Sequence, residues 1–146
     1  MNLDSGVAQI LMKLDRAGFE VAIVGGAVRD LISKKSVIDW DLTTNARPAE
    51  ILKLFKKAFY NNRFGTVGVP TKNGKIVEVT TWRKEAGYSD RRHPDKIVWG
   101  KTLEEDLARR DFTINAMGLR PKAKLSVISN IQFPISNFQL VDPFGG

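Results

Sequence analysis

The sequence contains no cysteine and a single histidine, His93. The absence of cysteine excludes disulfide bonds and cysteine-ligated zinc, and it fits a reducing compartment. One histidine in a polar stretch is more often incidental than a metal ligand or a catalytic base. The sequence also lacks any apolar run of about 18 residues, so no segment is expected to span a membrane. The N-terminus carries acids and no apolar signal-peptide core, so secretion is not indicated.

Acidic residues are outnumbered by basic ones. The 23 lysines and arginines exceed the 16 aspartates and glutamates, which gives a formal net charge of +7. Such a charge favours polyanionic partners, with nucleic acid first and acidic membranes second. A basic surface with no such partner has the same charge, so the charge alone leaves both interpretations open. The length of 146 residues predicts one domain with a real core.

The hydrophobic pattern predicts an alternation of helices and strands. Asn73-Gly74 predicts a hairpin turn, and TLEE at 102–105 predicts a capping box at a helix start. The predicted elements are a helix over 7–14, a strand over 19–24, a helix over 27–32, a strand over 37–43, a helix from Pro48 to Ala58, strands over 64–71 and 75–82, a mobile loop over 84–96, a strand over 97–99, a helix over 102–110 and a strand over 138–141. Residues 112–119 are ambiguous, and 126–137 indicate an irregular insertion. This order predicts the α/β (α+β) class, a small mixed sheet with helices packed on it.

Two aspartates, Asp39 and Asp41, lie two residues apart in the β-prone stretch VIDWDLTT. In a strand this spacing places both carboxylates on one face, with Ile38, Trp40 and Leu42 on the other. Like charges this close repel each other unless a positive charge lies between them. The stretch therefore indicates a site for a divalent cation.

A third acid, Glu78, lies in the second strand of the predicted hairpin, KIVEVTTW. If the hairpin lies beside the Asp39–Asp41 strand, Glu78 completes a cluster of three carboxylates. Oxygen-rich sites suit Mg²⁺, and two such ions about 3.5–4 Å apart can bind the attacking and leaving oxygens of a phosphoryl transfer. The alternative is that the acids are exposed charges at strand ends.

A glycine pair, Gly25-Gly26, joins a strand to a helix in IVGGAVRD. Glycines let the backbone approach a ligand closely, and free N–H groups of a first helical turn attract phosphate. Arg29 could add a charged contact. Neither GxGxxG nor a Walker A loop is present, and a tight turn alone would explain the glycines equally well. The DxD stretch that follows makes a phosphate site the more specific interpretation.

Four motifs in order carry a family resemblance: GGAVRD (25–30), DWDLTT (39–44), VEVTTWR (77–83) and EEDLARRDFTINAMGL (104–119). Together they resemble the catalytic head of the class II tRNA nucleotidyltransferase and bacterial poly(A) polymerase family, in the polymerase-β-like superfamily. The resemblance extends from about residue 19 to 146. It implies that residues 1–146 form one nucleotidyltransferase head, that the helical neck, body and tail belong elsewhere on the same or a separate chain, and that the protein is cytoplasmic.

The resemblance implies roles for individual residues. Arg109, which precedes the motif that recognises the ribose, is a weaker candidate for a role in the same region. The residues with implied roles are Asp39 and Asp41 as metal-binding aspartates for Mg²⁺, Glu78 as the third catalytic acid, Gly25, Gly26 and Arg29 as the triphosphate-binding turn, and Arg110 and Asp111 as the motif that recognises the ribose.

The polar stretch 84–96 resembles the flexible loop that A-adding members need. Residues 105–109 spell EDxxR, which resembles the base-selecting motif of the neck, but their position just before RRDFTINA assigns them to the head. The loop residues that match are Gly87, Tyr88, Asp90, Arg91, Arg92 and Pro94.

The resemblance implies transfer of CMP and AMP from CTP and ATP to the tRNA 3′ acceptor end. An enzyme that adds only A, or a poly(A) polymerase, remains open, as does a non-catalytic nucleotide- or RNA-binding module. A generic basic α/β domain would require four ordered motifs by chance. Because the neck selects the base, the isolated chain is expected to be slow or inactive.

Overall fold

The computed structural model describes residues 3–61, 66–84, 98–110, 116–122 and 138–143. No helix in these ranges is long and apolar enough to cross a membrane. In chain order the elements are α1 (Ser5–Arg16), β1 (Val21–Val24), α2 (Gly26–Ile32), β2 (Asp41–Thr44), α3 (Pro48–Leu54), β3 (Phe59–Asn61), β4 (Thr66–Pro70), β5 (Ile76–Thr81), β6 (Arg83–Lys84), β7 (Val98–Trp99), α4 (Leu103–Ala108), β8 (Gly118–Pro121) and β9 (Phe138–Val141).

Seven strands form one mixed sheet in the order β3-β4-β5-β2-β1-β8-β9. Strands β2 and β5 pair in parallel, and the other ladders of this sheet are antiparallel. The chain reaches β5 from β2 through α3, β3 and β4, because parallel neighbours need a long connection. A separate antiparallel ribbon consists of β6 and β7. The predicted small mixed sheet with packed helices is confirmed.

The main core lies between one face of the sheet and helices α1, α2 and α3. Leu11 and Leu14 of α1 are fully buried in it, beside Ile23, Leu42 and Ile51. Helix α1 begins where the Asp4 carboxylate accepts hydrogen bonds from the first backbone N–H groups. It ends before Gly18, whose φ of +92° suits a glycine after a helix. The predicted helix over 7–14 is confirmed.

The opposite face of the sheet carries α4. Leu103 and Leu107 pack against Ala22, Val24 and Trp82 in a second buried cluster. Asp41 is paired in register with Val24, and residues paired in this way project from the same face of the sheet. The side chain of Asp41 therefore lies on the face that carries α4.

Strand β2 begins at Asp41, four residues later than predicted. Its antiparallel partner β1 ends at Val24, where the chain turns away, so the residues before Asp41 have no β1 partner. The predicted strand alternation across Asp39 is therefore wrong, and Ile38 is 80% exposed instead of sharing a buried face with Trp40. A carbonyl of Trp40 still accepts a hydrogen bond from the Glu78 N–H, 3.3 Å away.

Other boundaries differ by a few residues. Helix α3 ends at Leu54, and α4 ends at Ala108 because a tighter bond from the Arg110 N–H to the Leu107 carbonyl closes its last turn. The hairpin is confirmed, with Gly74 at φ +81° in its loop. The ambiguous segment forms β8 from Gly118 onward. The predicted insertion over 126–137 and the loop beyond Lys84 lie outside the described residues.

Candidate active site

Asp41 occupies the position where three strands meet. It is the first residue of β2, paired with Val24 of β1 on one side and with Glu78 of β5 on the other. Directly paired residues on neighbouring strands project from the same face with Cβ atoms about 4.5–5.5 Å apart. The parallel pairing therefore places two carboxylates side by side on the α4 face, as the sequence predicted for Glu78.

The surroundings of the Asp41 carboxyl group raise its pKa. Burial raises its pKa above the ordinary value of an aspartate, and the neighbouring charges of Glu78 and Asp39 raise it further, whereas Arg110 lowers it. Asp39 and Glu78 themselves are exposed. Asp41 and Glu78 are paired in register, and the charges of Asp39 and Arg110 also act on Asp41. The negative charge around Asp41 favours a bound cation.

The glycine turn lies directly against Asp41. Gly25 is buried and has a φ of +76° and a ψ of −150°, and a Cβ atom built on it would be 3.3 Å from the Asp41 Oδ2. A Cβ on Gly26 would be 3.4 Å from the Nη2 atom of Arg29, which is half exposed and paired with Asp30 at 3.2 Å. The turn therefore places bare backbone beside the carboxylate and a cation over the adjacent glycine.

A buried acid on α4, Asp106, connects three parts of the site. Its side chain is fully buried. One oxygen, Oδ1, accepts from the Arg83 backbone N–H at 2.9 Å and from Arg109 Nε at 3.1 Å. The other, Oδ2, accepts from Thr43 Oγ1 and from Arg110 Nη2, each at 3.1 Å. Asp106 therefore joins strand β2, the arginine pair after α4 and the first residue of β6.

Asp106 was assigned to the head, but no function was predicted for it. Its position in the sequence did indicate buried partners, because Leu103, Asp106 and Leu107 form the buried stripe of α4 and a charge within such a stripe requires partners. Arginines three and four residues after an acid on a helix supply them. The burial of Asp106 and its bond to Arg109 agree with assigning EDxxR to the head instead of to a base-selecting site.

The ends of the predicted flexible loop are held together. Arg83 pairs with Trp99 and Lys84 with Val98, so the chain leaves and re-enters the described fold on adjacent strands. The Arg47 guanidinium lies 5.1 Å from the centre of the Trp99 ring. Predicted site residues outside the described ranges are Asp111, Gly87, Tyr88, Asp90, Arg91 and Arg92.

The donor chemistry fits Mg²⁺ bound together with a nucleotide. Within the described part of the chain, no three His, Asp or Glu side chains converge closely enough to hold a metal ion by themselves. Mg²⁺ needs only one or two carboxylates when phosphate oxygens and waters complete its shell. Asp39 and Asp41 can supply those hard oxygen ligands, and the crowded negative charge on Asp41 favours it. A three-carboxylate metal site remains a prediction.

A shallow cleft elsewhere on the surface does not include these residues. It is lined at the other end of β1 by side chains that include Glu20, Trp82, Leu103 and Arg120. Of the three acids, Asp39 and Glu78 are exposed and Asp41 is partly buried.

Comparison with known proteins gives a consistent family. The Poly A polymerase head domain matches residues 21–146. A CCA-adding enzyme of Lactobacillus helveticus (strain DPC 4571) is 48% identical over 111 residues, which cover 75% of this chain and 28% of that enzyme. This chain therefore spans less than a third of that relative's length.

Two solved structures share the fold. The Bacillus stearothermophilus CCA-adding enzyme in complex with CTP matches with a TM-score of 0.71 and 32% identity, over 97% of this chain and 30% of that one. A tRNA nucleotidyltransferase complexed with a primer tRNA and an incoming ATP analog matches with a TM-score of 0.62 and 30% identity, over 96% of this chain and 35% of that one. Because the family match covers most of its length, the chain belongs to the Poly A polymerase head domain family, which confirms its resemblance to the head of the class II tRNA nucleotidyltransferases.

Proposed function

We propose that this chain is the catalytic head of a tRNA nucleotidyltransferase that transfers CMP and AMP from CTP and ATP to the tRNA 3′ end. The observation that carries the proposal is the pairing of Asp41 with Glu78 on parallel strands, with Gly25 packed against the Asp41 carboxylate. Relatives whose structures contain CTP, or a primer tRNA with an ATP analog, support these substrates. The net charge of +7 favours the same polyanionic partner.

The proposed reaction is an in-line displacement at the α-phosphorus. The 3′-oxygen of the tRNA forms the new P–O bond, the bond to the β-phosphate breaks, pyrophosphate leaves with its electron pair, and the hydroxyl proton is lost to solvent. Asp39 and Asp41 would hold Mg²⁺, with Glu78 as the third acid. Bound Mg²⁺ ions, two in the proposed mechanism, supply positive charge to the triphosphate and lower the pKa of the attacking hydroxyl.

The residues around the acids would orient the nucleotide. Gly25 and Gly26 present backbone without side chains beside Asp41, and Arg29 adds charge for the triphosphate. Arg110, whose charge reaches Asp41, would contact the nucleotide together with Asp111 and favour a ribose. Such positioning and charge neutralisation are the main source of rate in phosphoryl transfer.

The loop proposed for A addition begins at β6 and ends at β7. The described ribbon supports this assignment, because it keeps the two ends of the segment adjacent to the buried Asp106. The residues proposed for the loop's function remain Gly87, Tyr88, Asp90, Arg91 and Arg92.

Two alternatives follow from the same observations. The matched family takes its name from poly(A) polymerase, so addition of A alone, to tRNA or to other RNA 3′ ends, uses the same head. A non-catalytic nucleotide- or RNA-binding module would keep the basic surface without needing clustered acids. Burial raises the pKa of Asp41, and the charges of Glu78 and Asp39 raise it further. A bound cation would offset both effects, which favours the enzyme. The neck, body and tail would be supplied by the same chain or by a separate one.

Transfer is tested by incorporation of labelled CTP or ATP into a tRNA transcript that lacks its CCA end. The protein is used in excess over tRNA with Mg²⁺, because slow turnover is expected without a neck. The control is the Asp39→Ala, Asp41→Ala double variant. Slow incorporation that disappears in the control supports the proposal, and label on a non-tRNA 3′ end with ATP alone favours the polymerase alternative. Equal incorporation by the control would contradict the metal site.

A further inference from the structure

Helix α4 buries a carboxylate within its otherwise apolar buried stripe. The neighbours of Asp106 along the buried stripe are Leu103 and Leu107. Burying charge is costly, and replacing a buried ion pair by apolar residues of similar volume is often neutral or stabilising. Fold stability therefore gives no sufficient reason for an acid at position 106, and its partners indicate what it does.

Asp106 is the described partner of the Arg110 guanidinium group. The two are joined by Nη2 and Oδ2 at 3.1 Å. The Nε atom of Arg110 is buried and has no hydrogen-bond partner in the described ranges. The arginine is thus held through its contact with Asp106, and in that position its charge acts on Asp41.

The other bonds of Asp106 fix the carboxylate itself. Thr43 is buried two residues after Asp41 on the same strand, and its one hydroxyl proton is shared between Asp106 Oδ2 and the Thr80 carbonyl, each 3.1 Å from Oγ1. The Arg83 backbone N–H donates to Oδ1 from the first residue of β6. The Asp106 carboxylate is therefore bonded to both β2 and β6. A displacement of β2 would also displace the oxygen that binds Arg110.

We propose that Asp106 is a positioning residue of the nucleotide site, which holds Arg110 beside Asp41 for contact with bound ATP. The inference rests on the proposed function, since it assigns Arg110 to the nucleotide. Asp106 itself does not contact the substrate. Removing its charge, while keeping its size, should release Arg110 and weaken nucleotide binding without removing a ligand of Mg²⁺.

The binding test compares wild type with Asp106→Asn by calorimetric titration with Mg·ATP and Mg·dATP, well below the unfolding temperature. A hydrogen bond to a charged group predicts roughly tenfold weaker Mg·ATP binding and a smaller preference for ATP over dATP. Glu104→Gln is the matched control, because Glu104 is an exposed acid of the same helix that pairs with Arg120. In an Arg110→Gln background, Asp106→Asn should cause no further loss.

A second readout does not depend on nucleotide. NMR of arginine side chains in wild type should show slow rotation and slow hydrogen exchange for the Arg110 guanidinium, and both should become fast in Asp106→Asn. If that variant does not fold, Thr43→Val removes one bond to Oδ2 and keeps the charge, and a smaller loss of Mg·ATP affinity in the same direction is expected.

Wild-type affinity and an unchanged ATP preference in folded Asp106→Asn would overturn the inference, as would unchanged Arg110 signals. A merely structural Asp106 would lower the unfolding temperature and leave the ATP to dATP ratio as it was. If wild type itself does not bind Mg·ATP, the proposed function fails, and the proposed role in nucleotide binding fails with it. The NMR comparison then still decides whether Asp106 holds Arg110.

Discussion

Gly25 combines a backbone conformation that excludes other residues with a contact to the central acid. Its φ of +76° and ψ of −150° lie in a region that is essentially restricted to glycine. Substitution by alanine is expected to cost about 1–3 kcal/mol of unfolding free energy through backbone strain. The new Cβ would also lie 3.3 Å from the Asp41 Oδ2, so the carboxylate or the turn would have to shift.

The unfolding temperature and the affinity for Mg·ATP of Gly25→Ala are measured separately. For a domain of this size, a loss of about 1–3 kcal/mol lowers the unfolding temperature by roughly 3–12 °C. Scanning calorimetry measures that change, and titration with Mg·ATP at a temperature where both proteins are folded measures binding. We expect Gly25→Ala to lose stability and to bind Mg·ATP at least tenfold more weakly, a loss of about 1.4 kcal/mol.

Gly74→Ala provides the matched control. Gly74 also has a positive φ, +81°, but a Cβ there would have no heavy atom within 4 Å. It should therefore lose stability by strain alone and bind Mg·ATP as wild type does. If Gly25→Ala binds as tightly as Gly74→Ala, the glycine turn is not part of the nucleotide site.

Further predictions concern the charges and the edge of the sheet. Because its folded-state pKa is raised, ionised Asp41 destabilises the fold, so Asp41→Asn should unfold at a higher temperature than wild type at pH 7. That difference should shrink as the pH falls through the raised pKa of Asp41 and vanish below the ordinary pKa of an aspartate in the unfolded chain. A constant difference in melting scans would contradict the assignment. A Cβ on Gly68 would lie 2.5 Å from the Phe59 ring, but Phe59 is 45% exposed at the sheet edge and its ring can move, so Gly68→Ala should cost no more than about 1 kcal/mol in urea unfolding. In a Phe59→Ala background that cost should largely disappear, and equal costs in both backgrounds would refute the contact.

Local signals in the sequence predicted the elements that depend on local interactions. Helix α1 follows from its apolar spacing, and the hairpin follows from Asn73-Gly74. Strand β3 was not predicted, because a short run with exposed Phe59 and Tyr60 becomes a strand only by pairing with β4. The start of β2 was misplaced for a related reason, since it depends on where its partner β1 ends.

The proximity of two predicted acids could be expected from the sequence, whereas the contacts around Asp106 could not. The spacing of Asp39 and Asp41 and the position of Glu78 indicated a carboxylate site, and the parallel ladder brings Asp41 and Glu78 together. The role of Asp106 depends on contacts with Thr43 in a distant strand and with the Arg83 backbone. No periodicity within one segment encodes such contacts, although an acid in the apolar stripe of α4 indicates that they exist.

The central claim is that the acids beside the glycine turn hold Mg²⁺ together with a nucleoside triphosphate. Its most direct test is calorimetric titration of the chain with ATP, with and without Mg²⁺, for wild type, the Asp39→Asn, Asp41→Asn double variant and the Glu104→Gln control. The account predicts Mg²⁺-dependent binding in wild type and the control, weak binding of Mg²⁺ alone, and loss of Mg·ATP binding in the folded double variant. Binding that is independent of Mg²⁺, or unchanged in the double variant, would contradict it.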